Sequence, residues 1–192
     1  PSQTHLRSLD GSTVRTLDSN PVPAIEEYVL GKMEPLEIPT PDGFILEGLL
    51  IYPPDFHAEK KYPLWVKTYG GPHAATVRDT WHGGHVEDQA HASAGFMVLH
   101  VDPRPASAKG AVATWTAYKQ LGKQELTDLE SAVQWLGKRP YIDLQRVGLS
   151  GYSYGGYLTS YALTHSKVFA AGVAGAPVTD WRNYDAIYTE RY

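Results

Sequence analysis

A serine flanked by glycines is the feature of this chain best suited to chemistry. It lies in the run GYSYGG at residues 151–156, with Ser153 in the third position. An apolar stretch at residues 147–149 precedes the run, and a helix-forming stretch at residues 157–163 follows it. A sharp strand-to-helix turn presents a strained, exposed hydroxyl, and only glycines fit where the chain packs closely beside it. We therefore predict that Ser153 is an attacking nucleophile; the alternative is a glycine-rich connection without chemistry.

A serine nucleophile needs partners for the charge that it creates. Attack on a carbonyl builds negative charge on the carbonyl oxygen, and preorganised hydrogen-bond donors stabilise that charge in the transition state. The backbone amide of Tyr154, directly after the serine, is expected to be one donor. The run therefore predicts acyl transfer through a covalent serine intermediate.

The composition limits the classes of protein to which the chain can belong. Its 192 residues are enough for one domain with a sizeable core. With 42% hydrophobic residues and a formal net charge of -4, it lacks the basic excess that nucleic acid or anionic lipid favours. No apolar stretch approaches the ~18 residues that a membrane-spanning helix requires. Cysteine is absent, which excludes disulfides and thiolate metal sites.

The N-terminal residue gives no targeting information. The chain begins at Pro1, with no methionine and no signal-peptide pattern ahead of it. We expect the natural start to be missing. The compartment is therefore left open between a bacterial periplasm, secretion and the cytoplasm.

Turn residues divide the N-terminal part of the chain into two hairpins and a linker. Asp10-Gly11 predicts a short hairpin within residues 6–17, because glycine accepts positive φ at the turn. Residues 19–35 carry three prolines and a glycine, which predicts an extended linker with one helical turn near residues 24–29 and a domain boundary. Residues 36–38 and 44–52 flank a Pro-Asp-Gly turn and predict a second pair of strands.

The rest of the chain alternates predicted strands with predicted helices. Buried parallel strands are expected at the apolar runs 64–66, 96–101, 147–149 and 169–173. Helices are expected over residues 78–94, 123–138 and 155–165. This alternation predicts an α/β fold with a mostly parallel sheet flanked by helices.

The predicted helix over residues 123–138 has the clearest pattern. Its apolar stripe consists of Leu126, Leu129, Val133 and Leu136. The side chains expected to face away from the core are Glu125, Asp128, Glu130 and Lys138.

Three runs together resemble a known family. They are KTYGGPH at residues 67–73, GYSYGGY at residues 151–157 and DWRNYDAIYTERY at residues 180–192. In this order and spacing they are similar to the catalytic domain of prolyl oligopeptidase family serine peptidases, and most to the dipeptidyl peptidase IV branch. The resemblance implies that residues 36–192 are the N-terminal part of an α/β-hydrolase peptidase domain, with the C-terminal strands missing from this chain. It also implies that residues 1–35 are the end of a β-propeller domain and a linker.

The resemblance also assigns roles to residues around the serine. It implies that the Tyr69 hydroxyl is the second oxyanion donor; the alternative is a tyrosine that only packs at a strand end. Together with Tyr154, the residues implied to surround a substrate proline ring are Val178, Trp181, Tyr184 and Tyr188. Flat aromatic walls suit a compact apolar ring. The alternative is that these rings form a core or an interface with other parts of the protein. Charged residues of the same segment are expected to hold it by ion pairs: Asp180, Asp185, Glu190 and Arg191.

The partners of the serine in a catalytic triad are expected outside this chain. In α/β-hydrolases the triad runs in the order serine, acid, histidine, and only 39 positions follow Ser153. His165 is the single histidine after the serine, and it lies at the far end of the predicted helix, roughly 15 Å away along the helix axis. We therefore expect this chain alone to be inactive.

A metal site is the weaker of the chemical hypotheses. Possible ligands cluster in the sequence at His82, His85, Glu87, Asp88 and His91. Two glycines between the first two histidines make a rigid shared face improbable, and the spacing differs from that of helical zinc hydrolases. We predict neither a metal nor a cofactor.

The function expected from the resemblance is that of a serine peptidase. Such an enzyme hydrolyses peptide bonds after proline or alanine and releases N-terminal dipeptides through an acyl-enzyme on Ser153. The alternatives are a prolyl endopeptidase, an acylaminoacyl peptidase or a noncatalytic fragment. The expected partners are a peptide substrate, the remainder of the chain and a second copy in a homodimer, and not nucleic acid or a membrane.

Overall fold

The N-terminal hairpin forms around its predicted turn. In the computed structural model, which describes residues 3–78, 80 and 85–192, β1 (Thr4–Arg7) pairs antiparallel with β2 (Thr13–Asp18). Gly11 has a φ of +86° at the turn, which glycine adopts without steric cost. The two strands form a sheet of their own in which no residue is buried.

The linker is shorter than predicted. Its one helical turn is a 3-10 helix over Pro23–Glu27. The first strand of the main sheet, β3, spans Met33–Pro39, so the prediction that the linker continues to residue 35 is wrong. Pro35 is tolerated there because β3 is an edge strand, where a missing N–H leaves no ladder hydrogen bond unmade.

The main sheet has six strands in the order β3-β4-β6-β5-β7-β8. The remaining strands are β4 (Ile45–Ile51), β5 (Tyr62–Lys67), β6 (Met97–Asp102), β7 (Ile142–Tyr152) and β8 (Ala171–Gly175). Strands β6, β5, β7 and β8 run parallel to one another, whereas β4 pairs antiparallel with both β3 and β6. The predicted α/β fold with a mostly parallel sheet is therefore confirmed.

Five α-helices accompany the sheet in the described residues. They are α1 (Val86–Ser93), α2 (Ala111–Trp115), α3 (Lys123–Leu136), α4 (Tyr154–His165) and α5 (Ala186–Arg191). The prediction that the first of them begins at residue 78 is wrong, since α1 starts at Val86; residues 79 and 81–84 lie outside the described part of the chain. Helices α2 and α5 were not predicted, because five or six residues show too little periodicity. None of the described helices is long and apolar enough to cross a bilayer.

The core fills both faces of the sheet. The larger cluster joins strand residues such as Leu64 and Leu149 to Leu129 of α3 and Leu158 of α4. On the opposite face a smaller cluster contains Ile51 and Val98 with Ala92 of α1. Residues of β6 belong to both clusters, so both surfaces of this strand are covered, as expected for a parallel strand. This burial fixes the carboxyl end of β7, where the serine follows.

Two acidic side chains of α3 point inward, contrary to the prediction. Glu125 and Asp128 are both 0% exposed. Asp128 accepts hydrogen bonds from the Arg104 backbone N at 2.8 Å and from its guanidinium at 2.8 and 3.0 Å. The same guanidinium also binds Asp42, at 2.7 Å. These acidic groups are buried because each has donors within the fold, which repay the loss of water.

Candidate active site

Ser153 lies at a strained turn between β7 and α4. Its φ of 60° and ψ of -114° fall outside the regions that L-residues normally populate, and its side chain is half-buried. The Ser153 N–H donates to the Gly175 carbonyl at 2.9 Å, which ties the turn to the end of β8. Strain of this kind persists only where the surrounding structure enforces it, and it is typical of functional sites.

Sterics explain the glycines around the serine. A Cβ on Gly151 would lie 2.5 Å from the Gly155 backbone, and one on Gly155 would lie 2.5 Å from the Thr68 carbonyl oxygen. On Gly156, a Cβ would lie 2.3 Å from the Gly175 carbonyl oxygen. Backbone atoms cannot move aside as a flexible side chain can. The turn therefore packs against the ends of both neighbouring strands only because these side chains are absent.

The backbone amide of Tyr154 is placed to serve as an oxyanion donor. Tyr154 is the first residue of α4, so its N–H has no partner within the helix. The positive end of the helix dipole adds to this effect. That an oxyanion binds there stays a prediction.

Tyr69 lies beside this helix start. It follows β5 by two residues and is half-buried, and its ring centroid is 6.1 Å from that of Tyr154. A Cβ on Gly71 would lie 2.6 Å from the Tyr69 ring and 3.2 Å from the Tyr154 ring, so this glycine leaves room for both rings. The structure thus brings Tyr69 to the turn, and the donor role of its hydroxyl remains a prediction.

Five aromatic side chains form one connected group, which we call the aromatic cluster: Tyr69, Tyr154, Trp181, Tyr184 and Tyr188. Trp181 stacks on Tyr188 with centroids 5.7 Å apart and an interplanar angle of 12°. Tyr154 lies 5.7 Å from Trp181 and 6.4 Å from Tyr188. Tyr184 meets Tyr188 edge-on at 5.5 Å and is 42% exposed. The cluster therefore begins in the interior at Tyr154 and opens to solvent at Tyr184.

Val178 belongs to the segment that leads into the cluster. It is half-buried between β8 and a 3-10 helix at Trp181–Asn183. Its contact with a substrate ring stays a prediction.

Two aspartates shape the segment that carries the cluster. Asp180 accepts from the Arg182 N–H at 3.0 Å and pairs with its guanidinium at 2.6 Å, as predicted. Hydrogen bonds from Arg182 lower the pKa of Asp180 to about 2. Asp185 was expected to form an ion pair, but it caps α5 by accepting from the Tyr188 N–H at 2.8 Å. The caps fix the direction in which Trp181 and Tyr188 project.

No described residue hydrogen-bonds the Ser153 hydroxyl. His165 stacks on Tyr161 with ring centroids 4.0 Å apart and lies against the Tyr161 carbonyl, at the last turn of α4. The expectation that this histidine lies away from the serine is confirmed.

A histidine cluster forms elsewhere, with different members from those predicted. His85 Nδ1 and His100 Nε2 lie 3.0 and 2.9 Å from Asp88 Oδ2, and these atoms are close enough to hold a metal ion. The Lys67 ammonium binds the other oxygen of Asp88 at 2.8 Å. Burial alone would raise the pKa of the Asp88 carboxyl, but hydrogen bonds and charges from His100 and Lys67 hold it well below its ordinary value.

The histidine cluster therefore already contains a cation, and its geometry is that of a charge-compensated hydrogen-bond network. Glu87 binds Lys67 at 3.0 Å, and His91 lies against the Glu87 carbonyl instead of joining the cluster. His82 lies outside the described residues.

Sequence reasoning missed the contact beneath the serine turn. The Tyr154 hydroxyl donates to Glu125 Oε1 at 2.5 Å, and Glu125 Oε2 accepts from the Gly122 N–H at 3.1 Å. A signal was present, because Glu125 precedes Leu129 by four residues and Ala132 by seven, the spacing of a shared helix face. The prediction placed Glu125 on the exposed face because acidic side chains are normally exposed.

The fold and the serine turn define a class of protein. A strained serine at the carboxyl end of a central parallel strand, followed at once by a helix, is the nucleophile arrangement of an α/β-hydrolase. The chain belongs to the prolyl oligopeptidase family, whose model matches residues 83–192.

Known proteins similar to this chain bear dipeptidyl peptidase names. "Probable dipeptidyl peptidase 4" of Aspergillus fumigatus is 37% identical over 186 residues, which are 93% of this chain and 24% of the relative. "Probable dipeptidyl-aminopeptidase B" of Uncinocarpus reesii is 40% identical over 80% of this chain and 17% of the relative. The crystal structure of Porphyromonas gingivalis dipeptidyl peptidase 4 matches with a TM-score of 0.89 and 34% identity, over 100% of this chain and 28% of that one. The chain thus spans between 17% and 28% of the length of these relatives.

Proposed function

We propose that this chain is part of a serine peptidase that removes dipeptides from the N-termini of peptides with proline or alanine in the second position. The observation that carries the proposal is the position of Ser153, held at a strained turn directly beside the aromatic cluster. The names of the similar proteins support the reaction class.

In the proposed reaction, the Ser153 oxygen attacks the carbonyl carbon of the second substrate residue. The serine proton passes to a base, and the carbonyl oxygen takes negative charge between the Tyr154 amide and the Tyr69 hydroxyl. Collapse breaks the peptide bond, the amine leaves with a proton, and the dipeptide remains as an ester on Ser153. Water then hydrolyses that ester and frees the serine. We propose that the base and its acid come from a part of the protein outside this chain.

The aromatic cluster is proposed to recognise the second substrate residue. Trp181, Tyr184 and Tyr188 present flat ring faces and edges, with Val178 nearby in the chain. A pyrrolidine ring is compact enough to contact such surfaces, whereas a long or branched side chain would collide with them. Alanine would fit with fewer contacts, so we expect a lower kcat/KM for a reporter with alanine at this position.

The remaining parts of the protein are proposed to cover surfaces that this chain exposes. Large apolar side chains of the N-terminal hairpin are exposed: Leu6, Leu9, Val14 and Leu17. We propose that the residues before β3 are the exit of a β-propeller and a linker, and that the peptidase domain begins with β3 at Met33. A homodimer is part of the same proposal, and light scattering on the full-length protein would test it.

The test uses the full-length protein that contains this chain and a Gly-Pro p-nitroanilide reporter. We expect cleavage by the wild type and at least a 10³-fold loss in Ser153→Ala, because the nucleophile is removed. The matched control is Ser131→Ala, whose hydroxyl bonds only the helix backbone, and it should retain full activity. Undiminished cleavage by Ser153→Ala would contradict the proposal.

A blocked reporter separates dipeptide release from internal cleavage. The same reporter with an acetylated N-terminus lacks the ammonium group that marks a free N-terminus. Dipeptide release predicts a large loss of kcat/KM for the blocked reporter. Equal cleavage of both reporters would identify an endopeptidase or acylaminoacyl peptidase instead.

A further inference from the structure

We propose that Glu125 is a positioning residue for this reaction: by holding the Tyr154 phenol, it fixes the amide and the ring that Tyr154 offers to the substrate. This inference rests on the proposed function. Glu125 itself touches neither the serine nor the proposed substrate position.

The contact joins two helices far apart in the chain. The Tyr154 hydroxyl on the first residue of α4 donates to Glu125 Oε1 of α3 at 2.5 Å. The second carboxyl oxygen accepts from the Gly122 N–H at 3.1 Å, just before α3 begins. Glu125 is 0% exposed and Tyr154 is 2% exposed, so water does not compete for either group. A hydrogen bond in such surroundings is stronger and better defined than one at the surface.

The Glu125 carboxyl caps the start of α3 through the Gly122 N–H, but burying a carboxyl there carries a desolvation cost. Neighbouring positions of α3 on the same face carry Leu129 and Ala132, and an apolar residue of similar size would avoid the desolvation of an acid. Burial raises the pKa of the Glu125 carboxyl, against the opposing effect of its hydrogen bonds to Tyr154 and Gly122. Burial and the nearby Glu125 likewise raise the pKa of the Tyr154 phenol, which stays protonated as a donor. Buried groups of this kind concentrate at functional sites.

Tyr154 has two proposed tasks, and both depend on its exact placement. Its backbone N–H is proposed to meet the carbonyl oxygen, and its ring packs against Tyr69, Trp181 and Tyr188 of the aromatic cluster. The phenol is the far end of this side chain. Anchoring that end to α3 prevents the ring from turning, and the ring in turn fixes the first residue of α4.

The core holds α3, and with it Glu125, in place. Asp128, one turn along α3 from Glu125, binds the Arg104 backbone and guanidinium. Leu129 of the same helix is 0% exposed within the main core cluster. Because the core fixes α3, the hydrogen bond from Tyr154 to Glu125 also fixes the start of α4.

The experiment compares variants of the full-length protein with the wild type, using Gly-Pro and Gly-Ala reporters. Glu125→Leu and Tyr154→Phe each remove the hydrogen bond from one side. We expect each to lower kcat by about 10- to 100-fold, since a misplacement near 1 Å is enough for such a loss. The loss should be larger with the Gly-Pro reporter, because the ring of Tyr154 is part of the proposed proline site. Combining the two changes should add little, because they remove the same contact.

Glu125→Gln is the conservative rescue. Its amide oxygen can accept from the Gly122 N–H while its amide nitrogen donates to the Tyr154 oxygen, so both contacts survive with one reversed. We expect kcat within about threefold of the wild type. The matched control is Glu130→Gln on the same helix, whose carboxyl binds the Ser166 hydroxyl at 2.6 Å, away from the aromatic cluster, and it should leave kcat unchanged.

Thermal unfolding of every variant separates positioning from stability. If Glu125→Leu fails to fold, Tyr154→Phe and Glu125→Gln still decide the question. Folded Tyr154→Phe protein with wild-type kcat and reporter preference would overturn the role of Glu125 and leave the proposed function standing. Full additivity of the two changes would also overturn it. A wild type that cleaves neither reporter would contradict the proposed function and this inference together.

Discussion

At the scale of single residues, the site depends on the absence of side chains at the glycines around Ser153. The turn requires an unfavourable φ of 60°, and the fold enforces it by packing three glycines against backbone atoms of neighbouring strands. The strained geometry of the serine is therefore a consequence of close packing.

Gly155→Ala distinguishes the effect of packing on stability from the effect of helix propensity. Gly155 lies in the first turn of α4 at an ordinary φ, so propensity alone predicts that alanine stabilises the helix. Packing predicts the reverse, because the added Cβ would lie 2.5 Å from the Thr68 carbonyl oxygen and 3.2 Å from Tyr69 Cα. We expect a loss of about 1–3 kcal/mol in unfolding free energy and a fall in kcat, measured by urea denaturation and reporter cleavage.

The control for this change is Gly43→Ala. Gly43 has a φ of +86° but no atom within 4 Å of an added Cβ. It should lose about 1 kcal/mol from backbone strain and keep its kcat. Greater stability in Gly155→Ala than in the wild type would contradict the steric account.

The sequence predicted the serine turn better than the contacts that support it. GYSYGG locates Ser153 because its glycines have a steric purpose that a motif can express. Glu125 was placed on the solvent face because an acidic side chain is normally exposed, and only a tertiary partner overrides that rule. The partner, Tyr154, is 29 residues away in the chain, and no local pattern links the two.

At the scale of secondary structure, α3 and the loop after β6 act as one unit. The apolar stripe of α3 was predictable from its three- and four-residue spacing, and the helix begins at Lys123 as expected. The buried pair of Arg104 and Asp128 was not, because it joins residues whose contact is set by the sheet. Short helices such as α5 also escaped prediction, since they are defined by caps such as Asp185.

Asp128→Asn tests whether this unit supports the site. Asparagine would turn a donor toward the Arg104 guanidinium and leave a buried charge poorly paired, although Asp42 still binds it. We expect a loss of roughly 3 kcal/mol in unfolding free energy. Asp143→Asn, which removes a surface pair with Arg146, should change stability little. Equal losses of unfolding free energy in the two variants, measured by urea denaturation, would show that the buried pair does not stabilise the packing of α3.

At the scale of the whole molecule, the chain joins the strained serine turn to a sheet with an exposed edge strand. Within the described residues, β8 pairs with β7 on one side only, and Val173 of β8 is 59% exposed. The matched part of this chain covers only 24% of the Aspergillus fumigatus relative and 17% of the Uncinocarpus reesii relative. The proposed division of labour follows: these residues supply the nucleophile, one oxyanion donor from the backbone and the aromatic cluster, and other segments supply the base.

Covalent labelling tests the central claim most directly, because it identifies the nucleophile without relying on turnover. The full-length protein is treated with a dipeptidyl phosphonate that carries proline at the reactive position, and the adduct is mapped by mass spectrometry after digestion. The account predicts one adduct, on Ser153, which disappears in Ser153→Ala and forms more slowly in Tyr154→Phe. An adduct on a different serine, or unchanged labelling of Ser153→Ala, would contradict it.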